Sequence, residues 1–371
     1  MRTLRNFKFK GKIVLVRVDL NSDVVNKRII LSERFKAHAE TIKYLKNKKA
    51  RVVVIAHQGR PGQKDFTSLE QHCGLLNKFV KIRFVDDIIG VKAVKSIIDL
   101  KNGETILLEN VRELEDEFKG NSDNKFVKVL SKVCDYYVND AFSVSHRKQS
   151  SIVGFPKKLK SFMGLNLEKE IKYLKKLKIK KALYILGGAK AEDNILLLNK
   201  NKVLSCGLFG QICLISKGFN FGAQNKFLKK KLKIKNKLKN KLKNVETPVD
   251  FAVKVGDKRV ELKLNEFPSR YQIHDIGNET IKKYVDEIKK ARVIFMKGPA
   301  GNFDLKNFSK GTKEILRAVE KNKGFKVIGG GDLSTAAARY KIKKIDHISL
   351  SGGALIAFVA GKKLPGLEAL K

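Results

Sequence analysis

Arg51-Val52-Val53-Val54-Ile55-Ala56 runs straight into His57-Gln58-Gly59-Arg60-Pro61-Gly62. The β-branched run has the length of a fully buried strand, and it ends at a glycine and a proline that turn the chain. A histidine and an arginine therefore stand where a buried strand stops. In an open α/β sheet that is where ligands bind, outside the carboxyl ends of the strands. Arg60 brings a planar fork suited to phosphate or carboxylate. For this loop alone, a surface turn with solvated side chains is an equal alternative.

Repetition shifts the balance. The same order of apolar run and polar loop recurs in Ile13-Val14-Leu15-Val16-Arg17-Val18-Asp19-Leu20-Asn21, in Ile106-Leu107-Leu108-Glu109-Asn110-Val111-Arg112, and in Tyr136-Tyr137-Val138-Asn139-Asp140-Ala141-Phe142 with the loop Ser143-Val144-Ser145-His146-Arg147. Helix-like stretches, Glu33 to Asn47 and Asn124 to Lys132, lie between them. Strand alternating with helix predicts a parallel sheet with helices on its faces, and the basic side chains at the strand ends then converge on one edge.

With 371 residues the chain fits two domains of usual size, and 43% hydrophobic residues suffice for globular packing. Lys and Arg number 79 against 37 Asp and Glu, a formal charge of +42. Such a charge suggests nucleic acid or an anionic membrane. The excess is chiefly lysine spread over the whole length, however, as AT-rich codon usage would produce, and the base composition of the coding DNA tests that explanation. Cys73, Cys134, Cys206 and Cys213 form no Cys-x-x-Cys pair and no disulfide framework. The charged N-terminus does not resemble a signal peptide, and no apolar run reaches the roughly 18 residues of a membrane span. A soluble, cytoplasmic protein is expected.

The second half carries loops built from glycine. Ala182 to Leu186 leads to Gly187-Gly188-Ala189-Lys190, Val293 to Lys297 to Gly298-Pro299-Ala300-Gly301, Val327-Ile328 to Gly329-Gly330-Gly331-Asp332, and His347 to Leu350 to Ser351-Gly352-Gly353-Ala354. Each cluster is expected to open a helix, so that backbone N–H groups and the positive helix end face phosphate oxygens. Neither a Gly-x-x-x-x-Gly-Lys-Ser/Thr loop nor the dinucleotide fingerprint is present, since Ser334 stands where the last glycine of the fingerprint belongs.

Taken in order, the segments VRVDLN (16–21), AHQGRP (56–61), LLENVR (107–112), NDAFSVSHR (139–147), LGGAK (186–190), TPVD (247–250), HDIG (274–277), KGPAGNFD (297–304), GGGD (329–332), SGGA (351–354) and GKKLPGLEAL (361–370) resemble the phosphoglycerate kinase family over nearly the whole chain. The resemblance implies an α/β protein of two doubly wound parallel-sheet domains joined by a helical hinge. The first would bind 3-phosphoglycerate or 1,3-bisphosphoglycerate, the second ADP or ATP with Mg²⁺, and the two would close over a cleft to transfer one phosphoryl group. A monomer is implied as well.

Carried over residue by residue, the resemblance places the substrate on Asp19, Asn21, Arg34, His57, Arg60, Arg112 and Arg147. Arg60, Arg112, Arg147 and His57 would hold the non-reacting phosphate, Asp19 and Asn21 the glycerate end. Arg34, Lys190, Gly330 and Gly353 would act at the transferring group. The nucleotide would meet Gly188, Lys190, Lys297, Asp304, Gly330, Gly331 and Asp332, with amides also from Gly352 and Gly353, and Asp332 would hold Mg²⁺, through water. No covalent intermediate is needed, because in-line attack requires mainly positioning and charge neutralisation.

Departures from the family pattern fall mostly in the second half. Asn194 stands where a second lysine is usual, four residues after Lys190, and Lys297 stands where asparagine precedes Gly-Pro. Ser205-Cys206-Gly207-Leu208 replaces a glycine run, Leu333 a threonine or serine, Ser351 the first glycine of a triplet, and Asp304 a glutamate one methylene longer. In the first half, Leu20-Asn21-Ser22-Asp23 lacks the usual proline. A drifted but working kinase is expected; the alternative is a non-catalytic relative that keeps the fold and binds phosphorylated ligands or RNA.

Loop positions set expected domain limits at residues 1–162 with a C-terminal strap 361–371, and 163–360 including a connecting helix from Leu165 to Lys178. Lys226 to Asn244 is lysine-rich, with Leu228, Leu232, Ile234, Leu238 and Leu242 at helical spacing. An amphipathic surface helix before a strand at Val245 to Asp250 is expected, with no specific nucleic-acid or membrane partner.

Overall fold

The computed structural model describes residues 1–179, 181–198, 201–229, 238 and 240–371. Most of the lysine-rich stretch between Lys229 and Asn240 lies outside the described residues, and the expectation of a helix there with it. The chain forms two compact units, Met1–Lys172 with Lys362–Lys371, and Tyr173–Gly361. No described helix is long and apolar enough to cross a membrane.

In the first unit the apolar runs become strands β1 (Ile13–Arg17), β4 (Arg51–Ile55), β5 (Arg83–Val85), β6 (Thr105–Leu108), β7 (Tyr136–Asn139) and β8 (Lys160–Met163), with β2 (Val24–Val25) and β3 (Arg28–Ile29) as a small hairpin. The six-stranded sheet has the order β5-β6-β4-β1-β7-β8, and every pairing is parallel. Val52, Val53, Val54 and Ile55 are fully buried, each contributing about 1.5–3 kcal/mol of apolar burial. After β1 the chain lays strands on one side, then crosses to add β7 and β8 on the other. Loops on either side of β1 therefore diverge and leave a crevice at the carboxyl ends.

Helix Glu33–Asn47 forms where the sequence places it. The second expected helix is Lys125–Val133, with Asn124 as its cap: the Asn124 side chain accepts the Val127 N–H at 3.0 Å. Helix Leu165–Ile179 starts in the first unit, where its N-terminus is held by Thr41 and Asp140, and it carries the chain into the second. The division between units thus falls inside this helix. The last ten residues pack on the first unit, where Gly366 donates to the Ser145 carbonyl at 2.9 Å. A Cβ on Gly366 would lie 2.7 Å from Ile152 Cγ2, so only glycine fits.

The second unit contains β9 (Leu183–Leu186), β10 (Val203–Ser205), β11 (Val245–Glu246), β12 (Asp250–Val255), β13 (Lys258–Lys263), β14 (Ile273–Ile276), β15 (Val293–Lys297), β16 (Phe325–Gly329) and β17 (His347–Ser349). Its parallel sheet runs β11-β10-β9-β15-β16-β17, reversing between β9 and β15, and β13-β12-β14 forms a separate antiparallel sheet. The single strand expected from Val245 to Asp250 is two strands in different sheets. Pro248, with no N–H to give a ladder, separates them.

Candidate active site

At the carboxyl ends of β1, β4, β6 and β7 the four predicted loops meet. Val18 N–H donates to Ile55 O at 3.1 Å, Val111 N–H to Ala56 O at 3.2 Å and Asp140 N–H to Arg17 O at 2.9 Å, so the loops leave the sheet tied together. Gly59 turns with φ +63°, and a Cβ there would lie 2.3 Å from Asp65 O. Its N–H is taken by Asn21 Oδ1 at 2.8 Å. Ser22 secures the proline-free loop by donating its N–H to Gln58 Oε1 at 2.9 Å and its hydroxyl to Leu20 O at 3.0 Å.

Asp19 is buried, and its carboxylate accepts from Arg34 Nη1 and Ser143 Oγ. Burial alone would raise its pKa, but the charge of Arg34 and the Ser143 bond hold it well below the usual carboxylate range. His57, also buried, is pushed far below the ordinary histidine value by burial and by the Arg17 guanidinium. Arg17 Nη2 lies 3.1 Å from His57 Nδ1; since a guanidinium only donates, Nδ1 accepts and the ring proton sits on Nε2.

Arg17 was legible only as part of a strand, yet it is fully buried under the site. Its Nε donates to Ser151 Oγ at 2.9 Å, and that hydroxyl donates to the buried Glu117 Oε1 at 2.7 Å. Sequence reasoning missed Arg17, Ser151 and Glu117 as one network because their contacts span 34 and 134 positions of the chain and carry no motif spacing. Arg112 is buried with Nη1 on the Gly59 carbonyl, while its Nε has no acceptor among the described residues. Burial, then the charges of Arg147 and Arg17, push Arg112 down to about 10. Arg147 is lowered by burial and by Arg60. These arginines destabilise one another's charge, which an anion among them would relieve.

The buried histidines predict an acid limb. Burial takes His72 down to about 4, and it takes His57 well below its ordinary value. Below pH about 6.5 the unfolded chain binds protons at these positions that the folded chain refuses, so stability falls as pH falls. His72→Gln should remove about 1.4 kcal/mol per pH unit of that slope between pH 6 and 5 in urea titrations. An unchanged slope would show that His72 is already protonated in the fold.

In the second unit the loops after β9 and β10 pack backbone to backbone on the loop after β15. Gly187 N–H donates to Lys297 O at 2.8 Å, Gly188 N–H to Pro299 O at 2.9 Å and Gly207 N–H to Ala300 O at 2.9 Å. A Cβ on Gly187 would lie 2.3 Å from Pro299 O, and one on Gly298 2.5 Å from Gly187 O. This corrects one expectation: the Gly298–Gly301 loop opens no helix, and its glycines permit the close approach. Of the glycines expected to present amides, Gly188 donates its N–H to Pro299 O and Gly330 donates its N–H to Ser349 O at 3.2 Å. Gly331 opens helix Gly331–Arg339, and Gly352 precedes Gly353–Val359. Among the described residues no protein acceptor takes the N–H groups of Gly331, Gly352 or Gly353.

A cavity of about 520 Å³ adjoins these loops, lined among others by Gly188, Gly207, Gln211, Asp304 and Asp332. Asp304 is occupied by Arg339 Nη2 at 3.0 Å. Lys190 is exposed, and Asp332 stands exposed in the first turn of its helix. No cluster of three or more metal-ligating side chains occurs among the described residues. A lone exposed carboxylate fits Mg²⁺ that keeps its waters and takes phosphate oxygens as further ligands. Leu333 is buried in the core.

Lys297 is buried at the end of β15. Its Nζ donates to Asn194 Oδ1 at 3.0 Å and lies 3.6 Å from Asp193 Oδ2. Burial lowers its pKa, and Asp193 opposes that shift. Asn194 Nδ2 in turn donates to Gly187 O at 3.0 Å. Two of the positions that depart from the family pattern are therefore direct partners.

The phosphoglycerate kinase family model matches residues 4–362. The phosphoglycerate kinase of Methanothermus fervidus is 40% identical over 100% of this chain and 96% of its own length. That of Pyrococcus furiosus is 40% identical over 100% and 97%. The crystal structure of phosphoglycerate kinase from Pyrococcus horikoshii superposes with a TM-score of 0.94 at 38% identity, covering 100% of this chain and 98% of that one. The Coxiella burnetii enzyme gives 0.82 at 29%, covering 99% and 98%. With its two doubly wound sheets and its arginine-lined loops, the chain belongs to the phosphoglycerate kinase family.

Proposed function

We propose that this protein transfers a phosphoryl group reversibly between 1,3-bisphosphoglycerate with ADP and 3-phosphoglycerate with ATP, in glycolysis and gluconeogenesis. The observation that carries the assignment of the first unit is the gathering of Arg17, Arg60, Arg112 and Arg147, in which burial and neighbouring positive charge lower Arg112 and Arg147 and the buried Arg112 Nε has no acceptor among the described residues. A phosphate among them would supply both the missing acceptor and the missing negative charge. Identity of 40% along the whole chain favours the enzyme over a non-catalytic relative.

Arg60, Arg112, Arg147 and the Nε2–H of His57 bind the non-reacting phosphate, and Asp19 and Asn21 orient the glycerate. Arg34 faces the charge that develops on the transferring group. In the second unit Lys190 and Lys297 neutralise nucleotide phosphates, the N–H groups of Gly331, Gly352 and Gly353 donate to them, and Asp304 serves the ribose. Asp332 would hold Mg²⁺, which would neutralise phosphate charge there. Catalysis is then positioning and electrostatics without a covalent intermediate. The enzyme acts as a cytoplasmic monomer, and its four buried, unpaired cysteines suit a reducing compartment.

Arg60 is exposed at the edge of the cluster, so Arg60→Ala should weaken 3-phosphoglycerate binding by about tenfold in calorimetry, the worth of one charge-assisted hydrogen bond, with kcat changed little. Unchanged affinity would remove the loop from the phosphate site.

A further inference from the structure

One helix grips Asp19 at two points. Arg34 and His38 stand one turn apart on Glu33–Asn47. Arg34 holds the Asp19 carboxylate, and His38 Nε2 accepts the Asp19 backbone N–H at 3.2 Å. The other ring nitrogen, Nδ1, meets Asp140 Oδ2 at 2.7 Å. A backbone N–H only donates, so Nε2 carries the lone pair and Nδ1 the proton. Asp140 Oδ1 is itself fixed by the N–H groups of Asn166 and Leu167, at 2.9 and 3.3 Å, in the first turn of Leu165–Ile179. Asp19 and His38 are 3% exposed and Asp140 0%. Water cannot replace a bond lost in this chain without rearrangement, and a severed member leaves a buried polar group unpaired.

We propose that His38 is a positioning residue for phosphoryl transfer: Asp140 locks its ring as the Nδ1–H tautomer, and Nε2 then fixes the backbone of Asp19, which aims Arg34. No motif in the sequence points to His38, which sits on the core side of the helix with Phe35, Ala39 and Ile42. The arrangement gives it a task that an apolar neighbour could not perform. The assignment rests on the role given to Arg34.

Two variants separate its halves. In His38→Asn the side-chain nitrogen takes the place of Nδ1, keeping a donor for Asp140 but leaving the Asp19 N–H unpaired. In His38→Gln the side-chain oxygen takes the place of Nε2, keeping the acceptor and losing the donor. Steady-state kinetics should show kcat of the Asn variant down by about tenfold or more, the worth of a buried hydrogen bond expressed in the transition state, with the Gln variant within about threefold of the parent. The Michaelis constant for 3-phosphoglycerate should move less than kcat in the Asn variant. Equal kcat in the two folded variants, or a greater loss in Gln, overturns the proposal. A measurement that needs no variant stands beside these: ¹⁵N histidine NMR of the parent at pH 7 should show Nδ1 protonated and Nε2 bare, and a protonated Nε2 overturns it. Arg34→Ala in the same assays keeps the two failures apart. A fully active Arg34→Ala enzyme would remove the assignment on which this rests, whereas an inactive one beside a fully active His38→Asn enzyme would remove only the positioning role.

Discussion

Arg34→Ala is expected to lower kcat by about a thousandfold, the lower end of what an arginine on a transferring phosphoryl contributes, while 3-phosphoglycerate binding weakens far less. A group that meets developing charge acts on the transition state more than on the ground state. The structure sets up a sharp alternative, because Arg34 is bonded to the buried Asp19 carboxylate. If holding Asp19 were its whole role, truncation would disturb the glycerate end as a unit, and binding and turnover would fall together. Calorimetry of 3-phosphoglycerate binding beside steady-state kinetics distinguishes the outcomes, and equal losses would take Arg34 away from the transferring group.

Lys297→Asn should cut turnover by about a hundredfold, the cost of removing one preorganised group from a developing charge. The loss follows from where the cation sits. Were Lys297 one more lysine of a lysine-rich chain, its ammonium would lie in solvent; instead the residue is 8% exposed and bonded to Asn194. Asn194→Lys alone should also lower activity, by setting two ammonium groups side by side in a buried space. The double change, Asn194→Lys with Lys297→Asn, should recover much of the loss, since the pair then restores one lysine and one amide in exchanged places. Higher turnover in Asn194→Lys alone, with Lys297→Asn neutral, would mean the charge was lost at Asn194 and never regained.

The fold was legible because its strands are short apolar runs ended by glycine, proline or a polar turn. Val52 to Ile55 reads as a buried strand from composition alone, and helix Glu33–Asn47 from its spacing. Antiparallel β12 to β14 escaped notice because Lys258–Lys263 alternates charged and apolar residues on a half-exposed surface, although Gly256-Asp257 between Val255 and Lys258 is a two-residue hairpin signal that pairs β12 with β13. Among site residues, side chains at strand ends were visible because the parallel sheet delivers every strand end to one edge. His38, Ser151 and Glu117 were not, because their roles arise from contacts across 19 to 134 positions of sequence. Glycines were the least transparent. Sequence marks them as phosphate loops, whereas Gly187, Gly188 and Gly298 are required by loop-to-loop packing, and only contact distances tell the two uses apart.

The most direct test of phosphoryl transfer is ATP formation by the purified protein from 1,3-bisphosphoglycerate and ADP with Mg²⁺. Turnover should saturate in both substrates, and Arg34→Ala should nearly remove it. A folded protein that binds 3-phosphoglycerate and nucleotide yet forms no ATP would show that it is not a kinase.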